Sequence, residues 1–217
     1  MANSKMILDV VVSQAFMENA FISHLEGRDD CVVVDPGFDA DKIIDHIESK
    51  HLALAAILNT HGHADHIAGN VTLKQRWPDC PLVIGAAEAG KLIDPAENLS
   101  ATFGVGLTSP AADHTVRDGD TYAAAGLEFE VLETPGHSIG HVVYLWKGES
   151  PWIVFGGDML FQGGIGRADF PDGDIDQLFE SIRSKLYSLP DDTVVWPGHG
   201  ESTTIGEEKQ YNPFVRG

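Results

Sequence analysis

The chain is poor in several groups on which common functions depend. It has two cysteines, Cys31 and Cys80. They lie far apart and Cys31 opens an apolar run, so both read as buried free thiols, neither catalytic nor paired. Lys and Arg together number 14 against 33 Asp and Glu, a formal charge of −19. Phosphate binding needs clustered Lys and Arg, so nucleic acid is not an expected partner. No apolar run nears the length of a membrane span, and the first residues carry a single cation, Lys5. Neither a membrane partner nor a secretory signal is therefore expected, and the simplest placement is cytoplasmic. There is no low-complexity run, linker or internal repeat, and 43% hydrophobic content over 217 residues suits one domain spanning 1–217. The sequence leaves the oligomeric state open.

Histidine is where the chain is rich. His61-Gly62-His63-Ala64-Asp65-His66 sets three imidazoles and a carboxylate within six residues, directly after the apolar run 52–58. Leu54 to Leu58 reads as a short buried strand, and Ile67, Val71 and Leu73 within 67–77 have helical spacing, so the cluster sits on a strand-to-helix turn. If the backbone stays extended through 61–63, the period of two puts both imidazoles on one side, and the turn swings Asp65 and His66 toward the same space. Two ligand pairs then converge, enough for two metal ions. Three later segments, each a turn after an apolar run, are candidates to complete the site: Thr134-Pro135-Gly136-His137, Gly156-Gly157-Asp158 and Trp196-Pro197-Gly198-His199. Five of the ten histidines would then be ligands.

Two other motifs compete for a role. Gly136-His137-Ser138-Ile139-Gly140 fits the nucleophile-elbow pattern and is followed in chain order by Asp158 and His199. The elbow demands a helix after the serine, whereas His141 to Trp146 is β-branched and aromatic and reads as a strand. Gly163-Gly164-Ile165-Gly166 hints at a dinucleotide loop, but Asp169 replaces the next required glycine and no long helix clearly follows.

The His-x-His-x-Asp-His run with a distant His, Asp and His resembles the metallo-β-lactamase superfamily, with all seven ligand positions filled between residues 61 and 199. The resemblance implies that His61, His63 and His137 hold one ion, that Asp65, His66 and His199 hold the other, and that Asp158 bridges them. It also implies a four-layer αββα sandwich. Strand candidates near 6–12, 31–34, 54–58, 82–84, 127–132, 142–146, 152–155 and 193–196 are consistent with that fold. So are helical patterns at 40–49, capped by Asp39 with Ile43, Ile44 and Ile47 as its stripe, and at about 175–187. The latter carries Leu178, Phe179, Ile182 and Leu186 on one face, with Asp174 or Asp176 as cap. The Pro- and Gly-rich stretch 98–113, with Phe103, Val105 and Leu107, is expected to form either a mobile loop near the site or an ordinary edge connection.

Within the superfamily the chain resembles the glyoxalase II-like hydrolases. The likeness is carried by Glu18-Asn19 with Val34-Asp35-Pro36-Gly37, by Gly156 to Phe161 leading into Gly164-Ile165-Gly166-Arg167, and by Pro197 to Gly206 with Asn212-Pro213-Phe214. It implies hydrolysis of an S-acylglutathione such as S-lactoylglutathione, a hydroxide shared by two divalent ions attacking the thioester carbonyl and Asp65 helping to orient it. Zinc is the first expectation for the metal, with iron or manganese as alternatives. A thiolate with a pKa of about 8.5 leaves without prior protonation, which suits a site lacking an obvious general acid. Arg167 is the candidate contact to a glutathione carboxylate, with a plain ion pair to Asp169 as the competing reading. Glyoxalase II proper continues into a C-terminal helical domain. This chain ends eighteen residues after His199 and matches a short single-domain subgroup, in which Tyr211, Phe214 and Arg216 are candidates to replace missing carrier contacts. A rival reading is a persulfide dioxygenase. Those enzymes share the ligand motif and a Gly-Arg-x-Asp-Phe stretch like 166–170, and would use His61, His137 and Asp158 around a single iron. A non-catalytic binding protein of the same fold would be expected to have lost ligands, and none is missing.

Overall fold

The computed structural model describes residues 5–217. Six strands build a first sheet in chain order: β1 (Met6–Val12), β2 (Asn19–Leu25), β3 (Asp30–Val34), β4 (Ala53–Asn59), β5 (Leu82–Gly85) and β6 (His114–Val116). The first two junctions are antiparallel and the other three parallel. The second sheet contains β7 (Thr121–Ala124), β8 (Leu127–Glu133), β9 (Val142–Trp146), β10 (Ile153–Gly157), β13 (Val194–Pro197) and β14 (Thr203–Thr204), in the spatial order β14-β13-β10-β9-β8-β7. A short hairpin of β11 (Leu160–Phe161) and β12 (Gly164–Ile165) stands apart.

Alternation along the strands sorts side chains into three cores. Val32 and Val34 of β3, with Ala56 and Leu58 of β4, meet Val142, Tyr144 and Phe155 of the second sheet between the two layers. The opposite face of the first sheet, including Cys31, Val33 and Ile57, packs against Ile43 and Ile47 of helix α1 (Ala40–Ser49) and Leu73 of helix α3 (Asn70–Arg76). The outer face of the second sheet, with Val143, Leu145 and Val195, packs on Leu178 of helix α4 (Ile175–Ser181), on Ile182 and Leu186 of the π-helical turn that continues it, and on Ile205 of helix α5 (Ile205–Tyr211). The result is the expected αββα sandwich. Strands buried on both faces read in sequence as continuous apolar runs, which is why β3, β4, β9 and β10 are recognisable there.

The eight expected strands are present. Six others, β2, β6, β7, β11, β12 and β14, are additions, for β2 is interrupted by Asn19, Ser23 and His24 and the rest span two to four residues. The helix expected over 67–77 is two, α2 (Ala64–Ile67) and α3, parted at Gly69. The Gly69 N–H donates to Pro36 O at 2.7 Å, and a Cβ there would stand 2.8 Å from that same oxygen, so the chain turns to let two backbones touch. Asp39 flanks α1 without capping it: its carboxylate accepts from the Gln14 N–H at 2.7 Å and pairs with Lys42. Asp174 does cap α4, accepting from the N–H groups of Asp176 and Gln177. The 98–113 segment is tethered by Asn98, whose amide donates to Lys91 O and Leu107 O. Among the described residues no helix is long and apolar enough to cross a membrane.

Candidate metal centre

The site lies where β4, β10 and β13 end and where β8 turns into β9. Thr60 leaves β4 tied to Asp35, which accepts from its N–H at 2.7 Å and from its hydroxyl at 2.6 Å. Asp35 follows β3 at φ 50°, left-handed backbone that Asp tolerates better than most residues. The same carboxylate lies 3.1 Å from His66 Nδ1, and Thr60 Oγ1 lies 3.0 Å from His61 Nδ1. With hydrogens held on these Nδ1 atoms, both Nε2 atoms are left as acceptors.

His61 Nε2 is 3.1 Å and His137 Nε2 3.0 Å from His63 Nδ1. His137 is turned inward because its Nδ1 donates to Arg167 O at 2.7 Å. An ion bound tetrahedrally at about 2.0–2.1 Å holds neighbouring nitrogens about 3.3 Å apart, so this trio is spaced for one. Asp65, His66 and His199 form a second group whose candidate ligand atoms lie within 4.8 Å of one another. Asp158 stands between the groups, Oδ2 at 3.6 Å from both His137 Nε2 and His199 Nε2 and Oδ1 at 3.5 Å from His66 Nε2. His66 Nε2 and Asp158 Oδ1 are buried without a hydrogen-bond partner. Such atoms cost about 1–3 kcal/mol each when left unsatisfied, which a shared cation would relieve. A third grouping of Asp35 with His61 and His66 also has ligand-like spacing, but its carboxylate is already committed to Thr60 and His66 Nδ1.

Protonation follows this division. Burial, assisted by neighbouring imidazoles, drives His61 and His63 well below the ordinary histidine range, and burial lowers His137 too. Neutral imidazole is the ligating form. Burial also opposes charge on His66 and His199, but Asp158 and Asp65 outweigh it and raise both. Burial opposes ionisation of Asp158, yet His66, His137 and His199 hold its carboxyl below the usual range. Glu18 is fully buried, both oxygens unpartnered, and burial raises its pKa well above that of an ordinary carboxyl.

All seven residues singled out from the sequence are thus brought together. Several supports were not singled out. Glu88 accepts from the N–H of Gly62 and of Gly140, each at 2.8 Å, linking two loops that carry candidate ligands, and meets Lys91 Nζ at 3.1 Å. His141 Nε2 accepts from the Asp158 N–H at 3.1 Å. Asn19 donates to Pro197 O and Gly200 O, fixing the turn that carries His199. Of these, only Asn19, like Asp35, falls in a segment that carries the resemblance. Ser138 is buried and leads into β9 with no helix after it, so no nucleophile elbow exists. Gly163 and Gly164 belong to the β11–β12 connection.

The centre opens into a cleft of about 500 Å³, to which Arg167 contributes. Its guanidinium pairs with Asp169 at 2.6 Å and lies 4.4 Å over the Phe170 ring, so the ion pair and the cleft position coexist. Tyr211 and Phe214 are exposed and Arg216 is likewise at the surface, and none of the three lines the cleft.

Residues 17–199 match the model of the metallo-beta-lactamase superfamily. The chain is 36% identical to the hydroxyacylglutathione hydrolase GloC of Haemophilus influenzae, covering 97% of this chain and 98% of that protein. Among solved structures it resembles the B3 metallo-beta-lactamase BLEG-1, with TM-score 0.91 and 35% identity over 97% of this chain and all of that one. It also resembles TTHA1623 in a di-iron-bound form, with TM-score 0.83 and 33% identity over 95% of this chain and all of that one. The likeness to ETHE1 from Myxococcus xanthus has TM-score 0.77 and 31% identity over 96% of this chain and 84% of that one.

Proposed function

The chain belongs to the metallo-beta-lactamase superfamily, and from that membership we propose that it is a metal-dependent hydrolase of the glyoxalase II type, cleaving the thioester of an S-acylglutathione such as S-lactoylglutathione. The observation that carries the proposal is the pair of three-residue ligand sets on either side of Asp158. In this reading His61, His63 and His137 would hold one divalent ion and Asp65, His66 and His199 the other, with Asp158 available to both. Two such ions, zinc first with iron or manganese as alternatives, would supply Lewis acidity toward a carbonyl and acidify bound water toward neutrality.

The protein's own groups do the rest. Asp65 faces the cleft and orients the attacking water by accepting its hydrogen. Asp35 and Arg167 O hold the hydrogens on His66 Nδ1 and His137 Nδ1, so each ring presents Nε2. Arg167, at the rim, pairs with a carboxylate of the thiol carrier, for which it exchanges Asp169. The thiol leaves as thiolate, and no acid need be found for it. The relation to GloC supports glutathione as carrier.

A persulfide dioxygenase is the second reading. The stretch Gly166 to Phe170 lies against the centre, with the Phe170 ring edge-on to His63 at 5.0 Å, and the overall likeness to ETHE1 is in keeping with this reading. One ion at His61, His137 and Asp158 would leave Asp65, His66 and His199 without a task, which favours the hydrolase. The test is to load the protein separately with zinc and with iron, assay S-lactoylglutathione cleavage, and follow oxygen uptake with glutathione persulfide on the same samples. Thioester cleavage with zinc and no oxygen uptake is expected; iron-dependent oxygen consumption with negligible thioester cleavage would establish the dioxygenase instead.

A further inference from the structure

The cleft has two unlike walls. One is the 161–170 segment, where Phe161, Ile165 and Phe170 accompany Arg167, the single Lys or Arg among the residues that line the cleft. The other wall is Phe16, from the turn between β1 and β2, with Leu99 and Phe103 from the stretch before β6. Phe16 stacks on Phe38 with ring centroids 5.4 Å apart and meets Phe103 edge-on at 5.7 Å. Phe103 is 61% exposed, Phe16 39% and Phe38 37%. Phe16 and Phe103, with Phe38 stacked on Phe16, thus form an apolar collar open to water at the site, an arrangement that gains free energy when something apolar covers it.

We propose that this collar receives the acyl group of the substrate, and that the acyl groups it favours are apolar chains of about six carbons or aryl groups in place of lactoyl. The inference rests on the thioester reading above. A lactoyl hydroxyl needs a hydrogen-bond partner once it leaves water. The polar side chain on this wall, Asn98, has its amide committed to Lys91 O and Leu107 O and its carbonyl to the Ser100 N–H. The carrier has its own place, because the anionic ends of glutathione are drawn to Arg167 in the other part of the lining. Lys91, in the adjoining recess that shares Leu99, is already bound to Glu88 and Asp172. With the carrier held at Arg167 and the carbonyl at the metal ligands, the acyl chain is left to Phe16 and Phe103, which line the same cleft.

The test is kcat/KM of the metal-loaded protein on S-butanoyl-, S-hexanoyl- and S-octanoylglutathione, which share one carrier and one carbonyl reactivity, beside S-lactoylglutathione. Burial of a methylene corresponds to about a fourfold gain, so a half-open wall should give a two- to fourfold rise per methylene up to hexanoyl, and hexanoyl should exceed lactoyl at least tenfold. In the double variant Phe16→Ala/Phe103→Ala the rise per methylene should fall close to onefold. Calorimetry with S-hexylglutathione and S-methylglutathione, thioethers with no ester to cleave, reads the wall without turnover and should show at least tenfold tighter binding of the hexyl compound, lost in the double variant. A series flat with chain length, or a slope that survives in the double variant, overturns the acyl assignment and leaves the thioester reading standing. Cleavage of no member removes the thioester reading and the assignment together.

Discussion

Asp158 is reached from both sides, by His137 and His199 on one oxygen and by His66 on the other, while its own N–H is held by His141. If it bridges two ions, Asp158→Ala should lower metal content and thioester hydrolysis together, with metal analysis falling from two equivalents toward one or none; a variant that keeps both ions and full activity would refute the bridge. Glu88 lies behind the candidate ligands. Removing it leaves the buried N–H groups of Gly62 and Gly140 without their acceptor and the Lys91 ammonium with Asp172 alone. A buried donor left unsatisfied costs about 1–3 kcal/mol, so Glu88→Ala should lower the urea midpoint and weaken metal binding. Glu88→Gln, which keeps one acceptor, should lose less; equal stability of both variants and the parent would show that Glu88 does not organise these loops. The contrast between Asp158 and Glu88 also marks what the sequence makes visible. Ligand candidates declare themselves because they must be imidazole or carboxylate, and four sit within six residues. Glu88 and Asp35 act through hydrogen bonds spanning 25, 26 and 52 residues of chain, and a contact of that kind leaves no spacing to read.

Elements were legible in proportion to how completely they are buried. β3, β4, β9 and β10 announce themselves as apolar runs, whereas β2 carries Asn19, Ser23 and His24 into the interior and β6 and β7 span only three and four residues, too few for a period to emerge. The break between α2 and α3 depends on contact with Pro36, which no local pattern encodes. The same holds for the loop that carries His137. It docks on α4 through the Asp174 N–H to Gly136 O at 2.8 Å and the Ser181 hydroxyl to Pro135 O at 2.7 Å, and Gly136 stands at φ 137° so close to Leu178 that a Cβ would fall on its backbone. Gly136→Ala should therefore destabilise the fold by at least about 1–3 kcal/mol and displace His137, reducing metal affinity. Asp174→Ala, which removes only the cap of α4, should cost about 1 kcal/mol and leave metal affinity nearly intact. Urea titrations of the two variants with a parallel metal titration separate these outcomes, and equal metal affinity in both would show that the docking contact does not position His137.

At the scale of the whole molecule, four layers leave three buried seams, and the seam beneath the first sheet contains Cys31 and Cys80. Burial pushes both thiols up to about 12, and Tyr187, in the seam beneath the second sheet, likewise to about 12. The ordinary thiol value is 9.0 and the ordinary phenol value 10.0. Between about pH 9 and pH 12 the unfolded chain has therefore released protons that the folded chain still holds, so the unfolded state binds fewer and unfolding becomes easier as pH rises. The stabilisation is whole below pH 9 and is lost on the way to 12, at up to about 1.4 kcal/mol per pH unit for each such group. A series of urea midpoints from pH 8 to pH 11 should fall steadily, and Cys31→Ala should flatten the decline relative to the parent even though its midpoint at pH 8 is lower for want of the buried side chain. A thiol reagent at pH 8 should find neither cysteine until urea opens the sandwich. Rapid labelling of the folded protein, or an alkaline slope unchanged by Cys31→Ala, would mean that the first sheet and its helices separate readily enough to wet the seam.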